Sequence, residues 1–273
     1  MKYSISTLII VFALFFFSCE KDNYDEPNSG IRGQFIDEDT KELVPMPVAK
    51  KDGPAALRIN LYEKDRFYLP GNDPNYSREP LKTWAQTDGS YERNWIFSAD
   101  YVMTFEQINF LPVDTLFVKL NRGKVTTQNI EITPYARVEI LTAEIDQEII
   151  KPGTAKEVTR RDLNVNFKIA RSTNIPNEAH LNNAYLYWST TPLIDHDGSN
   201  RVNVKSIVIT NADLDRVLTI THDFVTDNEF KNAQKEVILN NNDLIYIRIG
   251  VQTDNKINYS KVLPVKLYLD EYK

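Results

Sequence analysis

Apolar and polar residues alternate along most of this 273-residue chain. In ALRINLYE (56–63), Leu57, Ile59 and Leu61 fall on one side and Arg58 and Asn60 on the other, the period of two that a half-buried β-strand produces. IRGQFID (31–37), YVMTFEQ (101–107), TLFVKL (115–120) and VTTQNIEIT (125–133) repeat the pattern, with turn residues between them in TDGS (87–90) and NRGK (121–124). These runs predict a β-sandwich over residues 30–136. Pro134 in TPYARV (133–138) marks a boundary, and a second set of strands follows over 137–273: RVEILTAEI, DLNVNFKIA, AYLYWST, VNVKSIVIT, LIYIRIGVQT and YSKVLPVKLYL. Leu163, Val165, Phe167 and Ile169 point inward, and Trp188 shares a side with Leu186, as core residues of a sandwich of roughly seven strands do. A short helical turn is expected in NADLDRVL (211–218), capped by Asn211 or Asp213. The fold class is all-β, two β-sandwiches in tandem, with no short-period repeat of the solenoid kind.

One interval breaks the pattern. RFYLPGNDPNYSREP (66–80) carries three prolines, a glycine and two tyrosines, so the chain between Glu63 and Thr83 is expected to leave the sheet as a long excursion. Long loops on rigid scaffolds carry recognition. Trp84, just after it in LKTWAQT, together with Tyr68 and Tyr76, is the candidate platform for stacking against a sugar. Trp95, between Asn94 and Ile96, is left undecided by the alternation.

The first residues are of another kind. Lys2 precedes LIIVFALFFF (8–17), an apolar run of signal-peptide length, shorter than the ~20 residues that span a bilayer. It ends at Ser18 and Cys19, the chain's single cysteine. A lone cysteine has no disulfide partner and no companion ligands for zinc. The junction resembles a permissive bacterial lipobox of the Bacteroidetes type, which implies that residues 1–18 are a lipoprotein signal peptide and that Cys19 is acylated. EKDNYDE (20–26) resembles the export signal that sends such lipoproteins to the outer face of the outer membrane. Residues 19–29 then form a flexible tether, and the anchor is lipid, each acyl methylene contributing roughly 0.8 kcal/mol.

Composition narrows the partners. A formal charge of −6 with a pI near 5.3 and no basic stripe argues against nucleic acid. His180, His196 and His222 lack metal-motif spacing. DHDGSN (195–200) offers alternating oxygens like a fragment of a calcium loop but lacks its terminal acid, and an Asp-Gly turn explains it without metal. Nucleophile elbows, phosphate loops and zinc-protease helices are missing from the sequence, so no cofactor, metal or enzymatic activity is expected.

GQFIDEDTKELV, TDGSYERNWIFSADYVMTF and FVKLNRGKVTTQNIEITPY together resemble the carboxypeptidase-regulatory or transthyretin-like sandwich, with its Asp-Gly-x-Tyr hairpin. Asp88, Gly89, Tyr91, Arg93, Asn94, Phe97, Tyr101 and Thr133-Pro134-Tyr135 are similar to a family of Bacteroidetes-type lipoproteins of unknown function. The resemblance implies a transthyretin-like domain followed by an immunoglobulin-like one, and an association with SusC-like and SusD-like transport proteins of polysaccharide-utilisation loci. The expectation is a non-enzymatic surface lipoprotein that binds or presents a polysaccharide or oligosaccharide. The alternative is a docking module that assembles transport partners without touching glycan.

Overall fold

The computed structural model describes residues 26–49, 56–68, 79–106, 108–155, 158–224, 226–227, 230 and 234–269. It is all-β in two sandwiches. The first contains β1 (Ser29–Asp37), β2 (Arg58–Glu63), β3 (Leu81–Trp84), β4 (Ser90–Ile96), β5 (Asp100–Glu106), β6 (Leu116–Lys119), β7 (Val125–Thr127) and β8 (Ile130–Ile132), with a one-turn helix α1 (Lys64–Phe67) after β2. One sheet runs β4-β1-β7 with β8 also on β1, and the other runs β3-β2-β5-β6. Ile31, Phe35, Leu57, Ile59, Leu61 and Met103 fill the space between them.

Two turns depart from the expected reading. Gly89, at φ +85°, sits so close to the Val44 carbonyl that a Cβ would lie 2.4 Å from its oxygen. The Asp88-Gly89 turn joins β3 to β4, which belong to different sheets, so it carries the chain across the sandwich instead of closing a hairpin. VTTQNIEIT is likewise two strands, both parallel to β1, interrupted at Gln128 and Asn129. There the Gln128 carbonyl turns toward Gly33, where a Cβ would stand 1.9 Å away, and accepts the Tyr91 hydroxyl at 2.6 Å.

The second sandwich pairs β9 (Arg137–Ile150), β10 (Val158–Ala170) and β13 (Val217–Asp223) in one sheet, ordered β13-β10-β9. The other is ordered β12-β11-β14-β15, built from β11 (Leu181–Ser189), β12 (Asn203–Val208), β14 (Leu244–Thr253) and β15 (Lys256–Tyr259), with β16 (Leu263–Lys266) also on β14. Helix α2 (Lys235–Asn240) precedes β14 and buries Ile238. Leu163, Val165, Phe167, Ile169 and Trp188 are all fully buried, as their alternation requires. The 3-10 turn at Asn211–Asp213 is capped by Thr210, a correction to the expected Asn211 or Asp213. The Asp213 carboxylate instead accepts the Thr210 N–H, completing a capping box, while Asn211 Oδ1 accepts the Leu181 N–H.

Inside this core lies a polar knot. Asp227 accepts from Trp188 Nε1 at 3.0 Å and from the Phe230 N–H at 3.1 Å, and its Oδ2 lies 2.8 Å from His222 Nε2. Burial alone would raise its carboxyl, but the bonds from His222, Phe230 and Asn203 outweigh it and hold the group down at about 2.

The domains meet through buried polar groups. Arg248, with no exposed surface, donates to the carbonyls of Ile194 (3.0 Å) and Ser260 (2.9 Å) in its own domain and of Met46 (2.8 Å) and Thr87 (3.3 Å) in the first. Its guanidinium stacks 4.5 Å from the Tyr259 ring centroid. Asn258 accepts the Ala136 N–H and donates to the Asn109 carbonyl, and Arg137 pairs with Asp37 and Asp39.

Two outcomes follow. Arg248→Met leaves four carbonyls short of a donor, so chemical denaturation is expected to show a loss on the order of 3 kcal/mol or more. Its single transition should also split as the domains uncouple; one unsplit transition at unchanged midpoint would show that the guanidinium does not join them. Asp227→Asn is expected to cost on the order of 2 kcal/mol at neutral pH. Because the folded carboxyl is depressed from 3.8, its stabilisation is complete above that value and fades as pH falls toward 2. Wild-type and variant stabilities therefore converge across that window, and parallel curves would show the charge to be idle.

Candidate functional site

The candidate platform lies on the outer face of the β3-β2-β5-β6 sheet. Residues directly opposite one another in a sheet share a face. Ile59, Thr83 and Phe105 form one register row and face the core, so the alternate rows face outward. These outer rows are Trp84–Arg58–Glu106, then Lys82–Asn60–Thr104, then Tyr62–Val102–Phe117. Trp84 is half-buried at one end of this face. At the other, Phe67 packs on Tyr62 (5.3 Å between centroids) and Tyr68 stands edge-on to Phe67 at 5.2 Å, with 61% of its surface exposed. Phe117 is exposed too, with Lys64 Nζ 5.8 Å from its centroid. Four residues of β2 separate the end rows, roughly 13 Å. The structure thus brings Trp84 and Tyr68 to opposite ends of one face, while Tyr76 and Cys19 lie outside the described residues.

The polar groups between those aromatics are only partly satisfied. Glu106 accepts Arg58 Nη1 at 2.9 Å and Asn60 Nδ2 at 2.6 Å. Arg58 Nε and Asn60 Oδ1 are buried with no hydrogen-bond partner, and Asn60 is only 1% exposed. Buried polar atoms are nearly always paired, so this unspent donor and unspent acceptor on adjacent rows depart from the rule. Sequence alternation put Arg58 and Asn60 on the polar side of β2 but gave no sign that Glu106 would take only half of their capacity.

Other candidates resolve differently. Trp188 is a core residue. In the DHDGSN loop, Asp195 is buried and both its oxygens are engaged: Oδ2 accepts the Val48 N–H of the first domain, and Oδ1 accepts the Asp197 N–H and Asn200 Nδ2. Among the described residues no cluster of three or more His, Cys, Asp or Glu is placed to hold a metal ion. A cleft of about 580 Å³ between the domains is lined by Leu43, Pro45, Ile140 and Val262, but its guanidinium, Arg137, is already taken by Asp37 and Asp39.

Trp95 is the aromatic that alternation could not place. It occupies a bulge in β4, where the pairing with β1 slips between Ser29 and Gly30, and it takes the left-handed φ of +60°. The ring is 79% exposed, more than that of any other aromatic residue described. Residue 30, opposite the bulge, has to be glycine, since a Cβ there would stand 2.7 Å from Asn94 Oδ1.

Residues 29–133 match the family model described as the N-terminal domain of a protein of unknown function, DUF3823, and residues 148–264 match its companion domain of unknown function, DUF3823_C. Solved structures share the fold. A DUF3823 family protein from Parabacteroides merdae aligns over 89% of this chain and 100% of its own at 19% identity, with a TM-score of 0.59. One from Bacteroides uniformis aligns over 88% of this chain and 100% of its own at 14% identity and 0.61. A second Bacteroides uniformis protein, provisionally named a carbohydrate binding protein, aligns over 88% and 100% at 19% identity and 0.57. No curated protein matches the chain. With both domain models matched in order, and together spanning most of its length, the chain belongs to the DUF3823 family.

Proposed function

We propose that this protein is a non-enzymatic lipoprotein of the outer membrane surface, anchored through acylated Cys19, that captures or presents a polysaccharide or oligosaccharide beside SusC-like and SusD-like transporters. We read its first sandwich as transthyretin-like and its second as immunoglobulin-like. The observation that carries the binding role is the outer face of the β3-β2-β5-β6 sheet, where Arg58 Nε, in the Trp84 row, and Asn60 Oδ1, in the next row, stand unpaired. A sugar hydroxyl is donor and acceptor at once, complementary in kind to these two atoms, while the apolar C–H surface of a pyranose stacks on an aromatic ring. Tyr68 and Phe117 extend the face for a longer chain. The provisional carbohydrate-binding name of one structural relative agrees with this chemistry.

A second reading, docking without glycan, is favoured by β12. It is an edge strand of the five-stranded sheet, and its terminal Val208 is 83% exposed, so its unpaired edge could take a strand from a partner.

Calorimetry against a polysaccharide panel separates the two. Trp84→Ala is expected to weaken binding about tenfold and Asn60→Ala by a similar factor, each corresponding to about 1–2 kcal/mol for a stacked ring or a lost hydrogen bond. Thermal stability should change little in Trp84→Ala. Absence of binding to every glycan, with co-purification of a transporter in glycan-free medium, would move the function to docking.

A further inference from the structure

The exposed Trp95 belongs to a patch at one pole of the first domain. Ser29, the first residue of β1, pairs with Ile96, so Trp95 and Phe97 flank the point where the chain enters the domain. On the other side of that entry runs the turn 121–124: Ser29 Oγ donates to the Asn121 carbonyl, the Gly30 N–H to the Lys124 carbonyl, and the Gly123 N–H to Asn28 Oδ1. Arg93, Arg122, Lys124 and Val125 are exposed here beside Trp95 and the 46% exposed Phe97. Basic and aromatic side chains are thus gathered at one place on a chain of net charge −6. Glu92, the nearest acid of β4, accepts from Asn94.

The opposite end of β1 faces the second domain. Asp37, its last residue, pairs with Arg137, and Met46, Val48, Thr87 and Asn109 are among the residues that also bond across the junction. Nine residues of strand, roughly 27 Å, therefore separate the Trp95 pole from the interface. From Cys19 to Ser29 the chain can reach at most about 35 Å. Acylated Cys19 would therefore enter the bilayer within that reach of the Trp95 pole, where the chain joins the first domain.

We propose that Trp95 and Phe97, with Arg93 and Lys124 beside them, form a membrane-seating patch that inserts its rings at the level of phosphate head groups and fixes the protein's orientation on the lipid surface. Indole and phenyl rings settle at that interface, and lysine and arginine beside them meet phosphate. This inference rests on the lipid-anchor reading of the preceding subsection, and its test keeps the two apart.

The acylated full chain is reconstituted into vesicles of phosphatidylcholine and phosphatidylglycerol whose acyl chains are brominated near the head group, and tryptophan emission is recorded. Emission is expected to shift to the blue and be quenched in the wild type. Trp95→Ala should lose that quenching and Trp84→Ala should keep it, because Trp84 lies on the lateral sheet face and Trp188 is buried. Arg93→Glu with Lys124→Glu should reduce the quenching. Quenching undiminished in Trp95→Ala, or absent from the acylated wild type, would overturn the patch. So would Trp95 unquenched in vesicles yet shielded from iodide in native membranes, which would assign the surface to a protein partner. Mass spectrometry of the Cys19 peptide decides the anchor separately: an unacylated cysteine sinks the lipoprotein reading, and quenching of that same chain added to vesicles would still uphold the patch.

Discussion

One buried guanidinium determines how the two domains sit. Taking a cation out of water costs several kcal/mol unless every donor finds an acceptor. Arg248 gives four of its five N–H groups to carbonyls and lays its face on Tyr259, and two of the carbonyls, those of Met46 and Thr87, belong to the other domain. Burial draws its pKa down to about 10, with Tyr259 and Asp195 opposing the fall, so it remains charged at neutral pH. The donors are satisfied only when the sandwiches are docked in one orientation. Asn109, Asn258 and Asp195 repeat the logic with neutral bonds and a carboxylate, each paired across the junction. An interface of this kind resists partial opening, since a small displacement strands several buried polar groups together.

The strands were legible because their cause is local. The period of two placed Leu57, Ile59 and Leu61, and Leu163 to Ile169, on the faces where they are buried. In β14, Arg248 alternates with Ile247 and Ile249 and so lies on the opposite side of the strand from them. What alternation could not convey is that this outer face is covered by another domain, a relation between segments some two hundred residues apart. The DHDGSN loop hid its role for the same reason: its alternating oxygens suggested a cation, but the partner of Asp195 is a backbone N–H at Val48, which no local spacing announces.

Both candidate surfaces show where local reasoning stops. Trp84 and Tyr68 were picked for their place around a long excursion, and the register of β2 with β3 and β5 carries them to one face. The half-satisfied pair Arg58 and Asn60 between them depends on how far Glu106 can reach, a matter of ångströms that composition does not encode. Trp95 depends on a slipped register. Alternation along its strand left it undecided, and the bulge opposite Gly30 turns it to solvent.

That release is held at a cost. A non-glycine residue in the left-handed region gives up about 1–2 kcal/mol. Among the described residues at positive φ, Lys41, Lys151, Asp215, Asn242, Asp243 and Asp254 are polar residues, of the kind that often sits in turns, and only Trp95 and Tyr268 are aromatic. A glycine at position 95 would relieve the backbone and remove an apolar ring from water, so folding stability alone disfavours the tryptophan twice over. The rigid junction at Arg248 gives that sacrifice leverage. With the domains locked, fixing the orientation of one pole would fix the whole molecule, and on the proposed seating the Trp84 face, on the flank of the same sandwich, would be turned sideways along the membrane.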